Sequence, residues 1–137
     1  MPDRDVAGAR RVRQRSPGDT VSGKSGAGVV WVFVSGTIGG KAWTQNSAGV
    51  LDQAETGDGF GSTVAIGDFD GNNGGDLVIG VPHEDLPGKP DAGAVSVLYA
   101  PSAMSPPAAA NNDFWTQDSP NVGEVAQRGD RFGTAAR

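Results

Sequence analysis

The stretch WTQNSAGVLDQAETGDGFGSTVA at residues 43–65 recurs without a gap as WTQDSPNVGEVAQRGDRFGTAAR at residues 115–137. The two copies share their opening Trp-Thr-Gln and a later Gly-Asp-x-Phe-Gly, and they lie 72 positions apart. A second pair, AGVVWVF from Ala27 and AGAVSVL from Ala92, lies 65 positions apart. Repeats at such a period indicate that one supersecondary unit of about 65 residues is present about twice.

Short apolar runs that suit β-strands fill the repeated unit. They lie at residues 62–67, 76–81, 93–99 and 114–117. Gly, Pro, Asn and Asp separate the runs, and no segment shows sustained helical spacing. The segment PSAMSPPAAANND, from Pro101, is interpreted as a loop insertion. Four short strands per unit are typical of a propeller blade, so the sequence predicts an all-β, incomplete β-propeller.

The composition excludes several other classes. The 137 residues include 22 Gly and no Cys, so neither a disulfide framework nor a cysteine metal site is possible. No apolar run reaches the length of a membrane span, and the N-terminus lacks a signal-peptide core. The net charge is −5, and residues 43–88 contain acidic residues but no Lys or Arg. Such a field attracts cations and repels nucleic acid, so no nucleic-acid partner is predicted.

The segment GDTVSGKS at residues 18–25 has the spacing of a phosphate-binding loop. A phosphate loop needs a strand before it and a helix after it. Here the basic segment RRVRQRSP precedes the match, and the strand-like run GAGVVWVFVSG follows it. We therefore expect no nucleotide binding, and residues 1–25 are interpreted as a basic, disordered tail.

The segment GDFDGNNGGDLVIG, from Gly67, has the composition of a calcium-binding loop. Positions 1, 3, 5, 7 and 9 of the loop are Asp68, Asp70, Asn72, Gly74 and Asp76. Ca²⁺ takes oxygen ligands from bendable loops, and Gly74 is expected to offer its backbone carbonyl. Position 12 is Ile79 where an EF-hand has Glu, and strands flank the loop, so an EF-hand is excluded. The alternative is an acidic turn whose Asp and Asn side chains bond their own backbone.

The stretch FGSTVAIGDFDGNNGGDLVIGVP, from Phe60, resembles an FG-GAP repeat, the blade unit of the integrin α-chain propeller and of many bacterial extracellular proteins. Phe60-Gly61 matches the "FG" part, Gly80-Val81-Pro82 stands for "GAP", and the family's Ca²⁺ loop lies between them. Asn72 and Asn73 stand where the family usually has Asp and Gly, so the resemblance implies weakened calcium binding.

The resemblance also implies a division of the chain into four parts. These are the tail at residues 1–25, the C-terminal part of a first blade at 26–56, a complete blade with the calcium loop at 57–125, and the start of a truncated next blade at 126–137.

The resemblance implies a secreted or cell-surface protein with a structural, adhesion-like role, whose propeller loops bind a protein or glycan ligand. No enzyme is predicted, because the single His83 has no partner for a triad and no G-x-S-x-G motif occurs. Arg128-Gly129-Asp130 spells the adhesion tripeptide, but the repeat aligns it with Thr56-Gly57-Asp58, so it is interpreted as part of the blade pattern. Alternative interpretations are the propeller fragment of a secreted esterase or phospholipase-type hydrolase, a sugar-binding propeller, and a truncated reading frame.

Overall fold

A computed structural model describes residues 11–34, 40–102, 105–123 and 125–134. All regular elements in these ranges are β-strands, which confirms the predicted all-β class. In chain order the strands are β1 (Arg11–Ser16), β2 (Val29–Val34), β3 (Gly40–Trp43), β4 (Thr63–Gly67), β5 (Asp76–Val81), β6 (Ala94–Tyr99) and β7 (Ala108–Trp115). Within the described ranges, no helix has the length and apolar character needed to cross a bilayer.

The strands form two antiparallel sheets in which spatial order follows chain order. The first sheet has the order β1-β2-β3, and the second has the order β4-β5-β6-β7. A four-stranded meander is the architecture of one propeller blade, so the second sheet is a blade and the first is a three-stranded partial blade. This arrangement confirms the prediction of an incomplete propeller.

The central strand β5 carries most of the blade's core. It occupies the predicted residues, and Leu77, Ile79 and Val81 are all fully buried. Leu77 lies opposite Ile66 on one neighbouring strand and Leu98 on the other. Because β5 has neighbours on both sides and both of its faces are covered, it reads as a nearly continuous apolar run.

The outer strand β7 differs from the sequence prediction. A fourth strand was expected at residues 114–117 after a loop insertion from Pro101, whereas β7 already begins at Ala108. The strand pairs with β6 through a register shift between Val97 and Tyr99. An edge strand with a bulge makes few demands on its side chains, so the polar and alanine-rich segment can still join the sheet.

The N-terminal strand β1 also differs from the prediction, which placed residues 1–25 in a flexible tail. Residues 11–16 pair with β2 along their whole length, while residues 1–10 lie outside the described residues. Strand β1 begins 65 positions before β5, which is the spacing of the repeat. The structural repeat therefore extends further towards the N-terminus than the similarity of the apolar residues indicates. Backbone pairing needs no apolar side chains, so the basic composition of this segment hides the strand.

The repeat also explains the phosphate-loop match at residues 18–25. Val21 and Lys24 form a bridge that recurs between Leu86 and Lys89, 65 positions later. The Gly-Lys pair therefore lies in a turn between two strands. The strand predicted after this segment is present as β2.

The two sheets share one hydrophobic core, and Phe60 of the FG pair lies at their junction. Phe60 is fully buried, and its backbone N–H donates to the carbonyl of Ala27 at 2.9 Å. The equivalent residue one unit later, Phe132, donates to the carbonyl of Ala92 at 2.9 Å. Burying a Phe side chain contributes about 2–3 kcal/mol to the free energy of folding, so the FG pair stabilises the contact between consecutive units.

Candidate metal centre

The acidic loop connects β4 to β5 and folds through two residues in the left-handed region. Gly67 and Asp76 form the last paired residues before and after the loop. Gly71 has φ of 81° and Asn73 has φ of 66°. Asn adopts this conformation more readily than most residues with a side chain, so Asn73 suits this position.

The loop brings together the three predicted carboxylates. Oxygen atoms of Asp68, Asp70 and Asp76 all lie within 4.8 Å of one another. Ligands on opposite sides of one Ca²⁺ ion are about 5 Å apart, since each lies about 2.3–2.6 Å from the metal. Asp68 and Asp70 are exposed, whereas Asp76 is fully buried. The spacing and the all-oxygen chemistry fit a hard divalent cation.

Asp76 anchors the loop to the neighbouring strand as well. One of its oxygens, Oδ2, accepts a hydrogen bond from the N–H of Phe69 at 2.8 Å. The other oxygen, Oδ1, accepts from the buried N–H of Ala100 at 2.9 Å, just after β6 ends. Each carboxylate oxygen has a second lone pair, so these bonds leave Asp76 able to bind a cation.

Asn72 and Gly74 lie beside the carboxylates and against the end of β6. The side-chain amide of Asn72 donates to the carbonyl of Ala100 at 2.8 Å, and its Oδ1 accepts from the N–H of Gly74 at 2.8 Å. A Cβ at Gly74 would lie 2.7 Å from the carbonyl oxygen of Ser102 and 2.8 Å from the Cβ of Ala100. Position 74 therefore requires glycine, and the ligand roles of both residues stay a prediction.

The alternative interpretation, an acidic turn bonded to its own backbone, describes part of the same geometry. The two oxygens of Asp68 accept from the N–H groups of Gly71 at 2.9 Å and Asn73 at 3.0 Å. Asp70 accepts only a longer bond of 3.3 Å, from the N–H of Asn72. Asp70 thus contributes least to the turn itself, which makes it the residue that best separates metal binding from loop structure.

A cleft of about 420 Å³ opens beside the loop, and its polar lining was not predicted. Asp70 and Asn72 form one part of the wall, and Tyr99 and Asp113 form another. The hydroxyl of Tyr99 donates to Oδ2 of Asp113 at 2.7 Å. Burial, followed by this carboxylate, raises the pKa of Tyr99 to about 12, so the ring stays neutral at physiological pH. Asp113 belongs to β7, so this lining depends on the early start of the strand at Ala108.

A second acidic cluster, which sequence analysis missed, lies where the chain enters the blade. Oxygen atoms of Glu55, Asp58 and Glu84 lie within 4.8 Å of one another. Asp58 is 2% exposed and Glu84 is 3% exposed. Burial and the neighbouring carboxylates, Asp52 among them, raise the pKa of Glu84 to about 9 and that of Asp58 to about 7. The sequence signal was weak because Glu84 lies 26 positions after Asp58.

The Arg-Gly-Asp tripeptide lies in an exposed turn whose carboxylate is already engaged. Oδ2 of Asp130 accepts from the N–H of Gln127 at 2.9 Å. Oδ2 of Asp58 accepts from the N–H of Glu55 at the same distance, one unit earlier. This repetition supports the interpretation that Asp130 belongs to the blade pattern.

His83 pairs with an acidic neighbour on the protein surface. Its Nδ1 lies 3.4 Å from Oδ1 of Asp91, and both side chains are partly exposed.

Comparison with known proteins gives one match. The family model described as "FG-GAP repeat" matches residues 60–98, from the FG pair to the penultimate residue of β6. A search of curated proteins and a search of solved structures each found no match. The matched range contains the acidic loop and three of the four strands of the blade. Residues 60–98 therefore match an FG-GAP repeat, which supports the resemblance found in the sequence.

Proposed function

We propose that this chain is a calcium-binding propeller module of an extracellular or cell-surface protein, with a structural and ligand-recognition role. The observation that carries the proposal is the convergence of Asp68, Asp70 and Asp76 in the loop of an FG-GAP repeat. Bound calcium would supply two positive charges where three carboxylates otherwise repel one another. Asn72 and Gly74 would complete the ligand set predicted from the sequence.

The structural part of this role follows from what the loop connects. Asp76 and Asn72 both bond the backbone of Ala100, so the loop is tied to the end of β6 as well as to β4 and β5. Ordering the loop therefore fixes three of the blade's four strands at one end. Extracellular calcium modules work with dissociation constants of about 10⁻⁴–10⁻³ M, and the neutral side chain of Asn72 supports an affinity of that order for this loop.

The recognition part rests on the cleft beside the loop. Its wall combines carboxylates, amides and the hydroxyl of Tyr99, which suit hydrogen bonding to a polar ligand. We propose a protein or glycan ligand held at this loop end of the blade, with binding rather than catalysis as the role. Calcium at Asp70 would shape one side of the cleft.

A calcium titration of the full chain tests the proposal, with tryptophan fluorescence and circular dichroism as readouts. The wild type is expected to gain strand signal at sub-millimolar to millimolar Ca²⁺, with a smaller and weaker response in Asp70→Ala. Asp85→Ala is the matched control, because Asp85 is also an exposed turn residue that accepts one backbone N–H, from Asp91 at 2.8 Å. Equal responses in all three proteins would contradict the proposal.

A further inference from the structure

The second acidic cluster gathers side chains from three separate segments. Gln45 follows β3, Glu55 and Asp58 lie in the connection to β4, and Glu84 lies in the turn after β5. The carboxylate oxygens of the last three are within 4.8 Å of one another, the same limit that holds in the β4–β5 loop. Two of these carboxylates are almost completely buried, which distinguishes the cluster from a solvated acidic face.

The amide of Gln45 supplies an independent indication that a ligand belongs here. Gln45 is 1% exposed, and its Nε2 donates to Oε1 of Glu84 at 2.9 Å and to Oδ2 of Asp52 at 3.3 Å. Its Oε1 belongs to the same carboxamide group, is buried, and has no hydrogen-bond partner among the residues that the structure describes. An unsatisfied buried acceptor costs about 1–3 kcal/mol, and native structures contain few of them.

The atom of this cluster that lacks a partner among the described residues, Oε1 of Gln45, is an acceptor, so its missing partner is positive or a donor. Residues 43–88 contain no Lys or Arg that could fill the place. The available atoms are carboxylate and amide oxygens, which are the ligands preferred by hard divalent cations.

We propose that this cluster is a second calcium-type cation site, separate from the β4–β5 loop. Its ligands are the side-chain oxygens of Gln45, Glu55, Asp58 and Glu84. A cation held there ties the segment that enters the blade to the turn that follows β5. The site does not depend on the loop carboxylates, so the two sites stand or fall separately.

The internal repeat provides a matched comparison within the same chain. Gln117 and Asp130 are the counterparts of Gln45 and Asp58, and Oε1 of Gln117 is also buried without a partner in the described part of the chain. The unpartnered amide therefore recurs with the repeat, and the converging carboxylates distinguish the earlier unit. The counterpart of Glu55, however, is the neutral Gln127. Among the described residues no acidic cluster forms around Asp130. Neutralising Asp130 therefore controls for the loss of one negative charge at a position that lacks the full ligand set.

The test is the number of Ca²⁺ ions bound per full-length chain, measured by equilibrium dialysis. The expected result is two ions for the wild type and for Asp130→Asn, and one ion each for Glu84→Gln and Asp70→Ala. Gln at position 84 keeps the size of the side chain and an oxygen that accepts from Gln45, but it removes the charge. Circular dichroism in calcium-free buffer checks that each variant is folded.

The two sites fail in different ways. If Glu84→Gln binds as many ions as the wild type, the second site is wrong and the cluster is a set of carboxyl groups that share protons. If Asp70→Ala binds as many ions as the wild type, the loop proposal fails while the second site is unaffected.

Should Glu84→Gln not fold, Glu55→Gln replaces it, because Glu55 is exposed. We expect Glu55→Gln to weaken the second site about tenfold, since affinity follows the charge count of the ligands. Unchanged affinity in Glu55→Gln would overturn the second site.

Discussion

The carboxylate of Asp76 hydrogen-bonds the loop to the blade without any metal ion. Substituting Asp76 should therefore lower the free energy of unfolding by the contribution of those hydrogen bonds. In Asp76→Ala, the N–H of Ala100 is left buried without a partner, at a cost of about 1–3 kcal/mol. The N–H of Phe69 is only partly buried, so its lost bond to the carboxylate costs about 1–2 kcal/mol. The lost hydrogen bonds therefore cost about 2–5 kcal/mol of the free energy of unfolding, a large share of the total for a small domain. Removal of Asp76 also relieves repulsion with Asp68 and Asp70, by about the same amount as removal of Asp70 does, so Asp76→Ala should be about 2–4 kcal/mol less stable than Asp70→Ala.

Asp70→Ala is the control for this prediction, because Asp70 is exposed and accepts one bond of 3.3 Å. Its loss should change stability by only about 0.5 kcal/mol. Removing one of three carboxylates within 4.8 Å also relieves repulsion of about 1 kcal/mol per pair in a water-like dielectric. In calcium-free buffer, Asp70→Ala should thus be at least as stable as the wild type.

Urea unfolding in the presence of a chelator, followed by tryptophan fluorescence, measures both variants. With a slope of about 2 kcal/mol per molar urea, the midpoint of Asp76→Ala should lie about 1–2 M below that of Asp70→Ala. Equal midpoints in Asp76→Ala and Asp70→Ala would refute the reasoning.

Three further predictions concern other parts of the molecule. The single Tyr99 should titrate near pH 12 by its absorbance at 295 nm, and near its ordinary value of 10 in urea, because burial and a hydrogen-bonded carboxylate favour the neutral hydroxyl. Glu84 keeps its proton in the calcium-free folded state up to about pH 9 but loses it near pH 4.5 when unfolded. Its contribution to stability is therefore complete below pH 4.5 and lost as the pH rises through 9, and Glu84→Gln should flatten this decline in thermal unfolding with a chelator present. Gly93→Ala should destabilise the chain by about 2 kcal/mol or more, because φ is 89° and a Cβ would overlap the backbone of Phe132. Gly88 has φ of 72° and open space around it, so Gly88→Ala should cost only the backbone strain of about 1–2 kcal/mol. Urea midpoints of the two glycine variants give the difference, and equal midpoints would contradict the close approach at position 93.

The sequence predicted the central strands and the loop because their signals are local. The run DLVIGV is apolar, bounded by turn residues, and appears as β5 without a shift at either end. The three loop carboxylates lie within nine residues of sequence, so their convergence needs only a tight turn between two paired strands. These features depend on neighbouring residues, which a single sequence displays directly.

The features that the sequence did not predict depend on pairing or on distant residues. Strand β1 consists mostly of basic and polar residues, and it belongs to the sheet through its pairing with β2 rather than through its own composition. The early start of β7 at Ala108 likewise follows from pairing with β6 through a register shift. The second cluster needs Glu84 to fold back against Asp58, and no spacing rule connects them. Of these three features, only strand β1 follows from the 65-residue repeat, because it lies 65 positions before β5.

The central claim is that calcium stabilises the blade through the β4–β5 loop, and the free energy of unfolding of the full chain with and without calcium tests it most directly. For a dissociation constant near 10⁻⁴ M, a calcium concentration one hundred times higher should stabilise the folded state through this loop by about 2.7 kcal/mol. We predict that the gain measured for the wild type exceeds the gain for Asp70→Ala by about that amount. Equal gains in the two proteins, or no gain in either, would contradict the account.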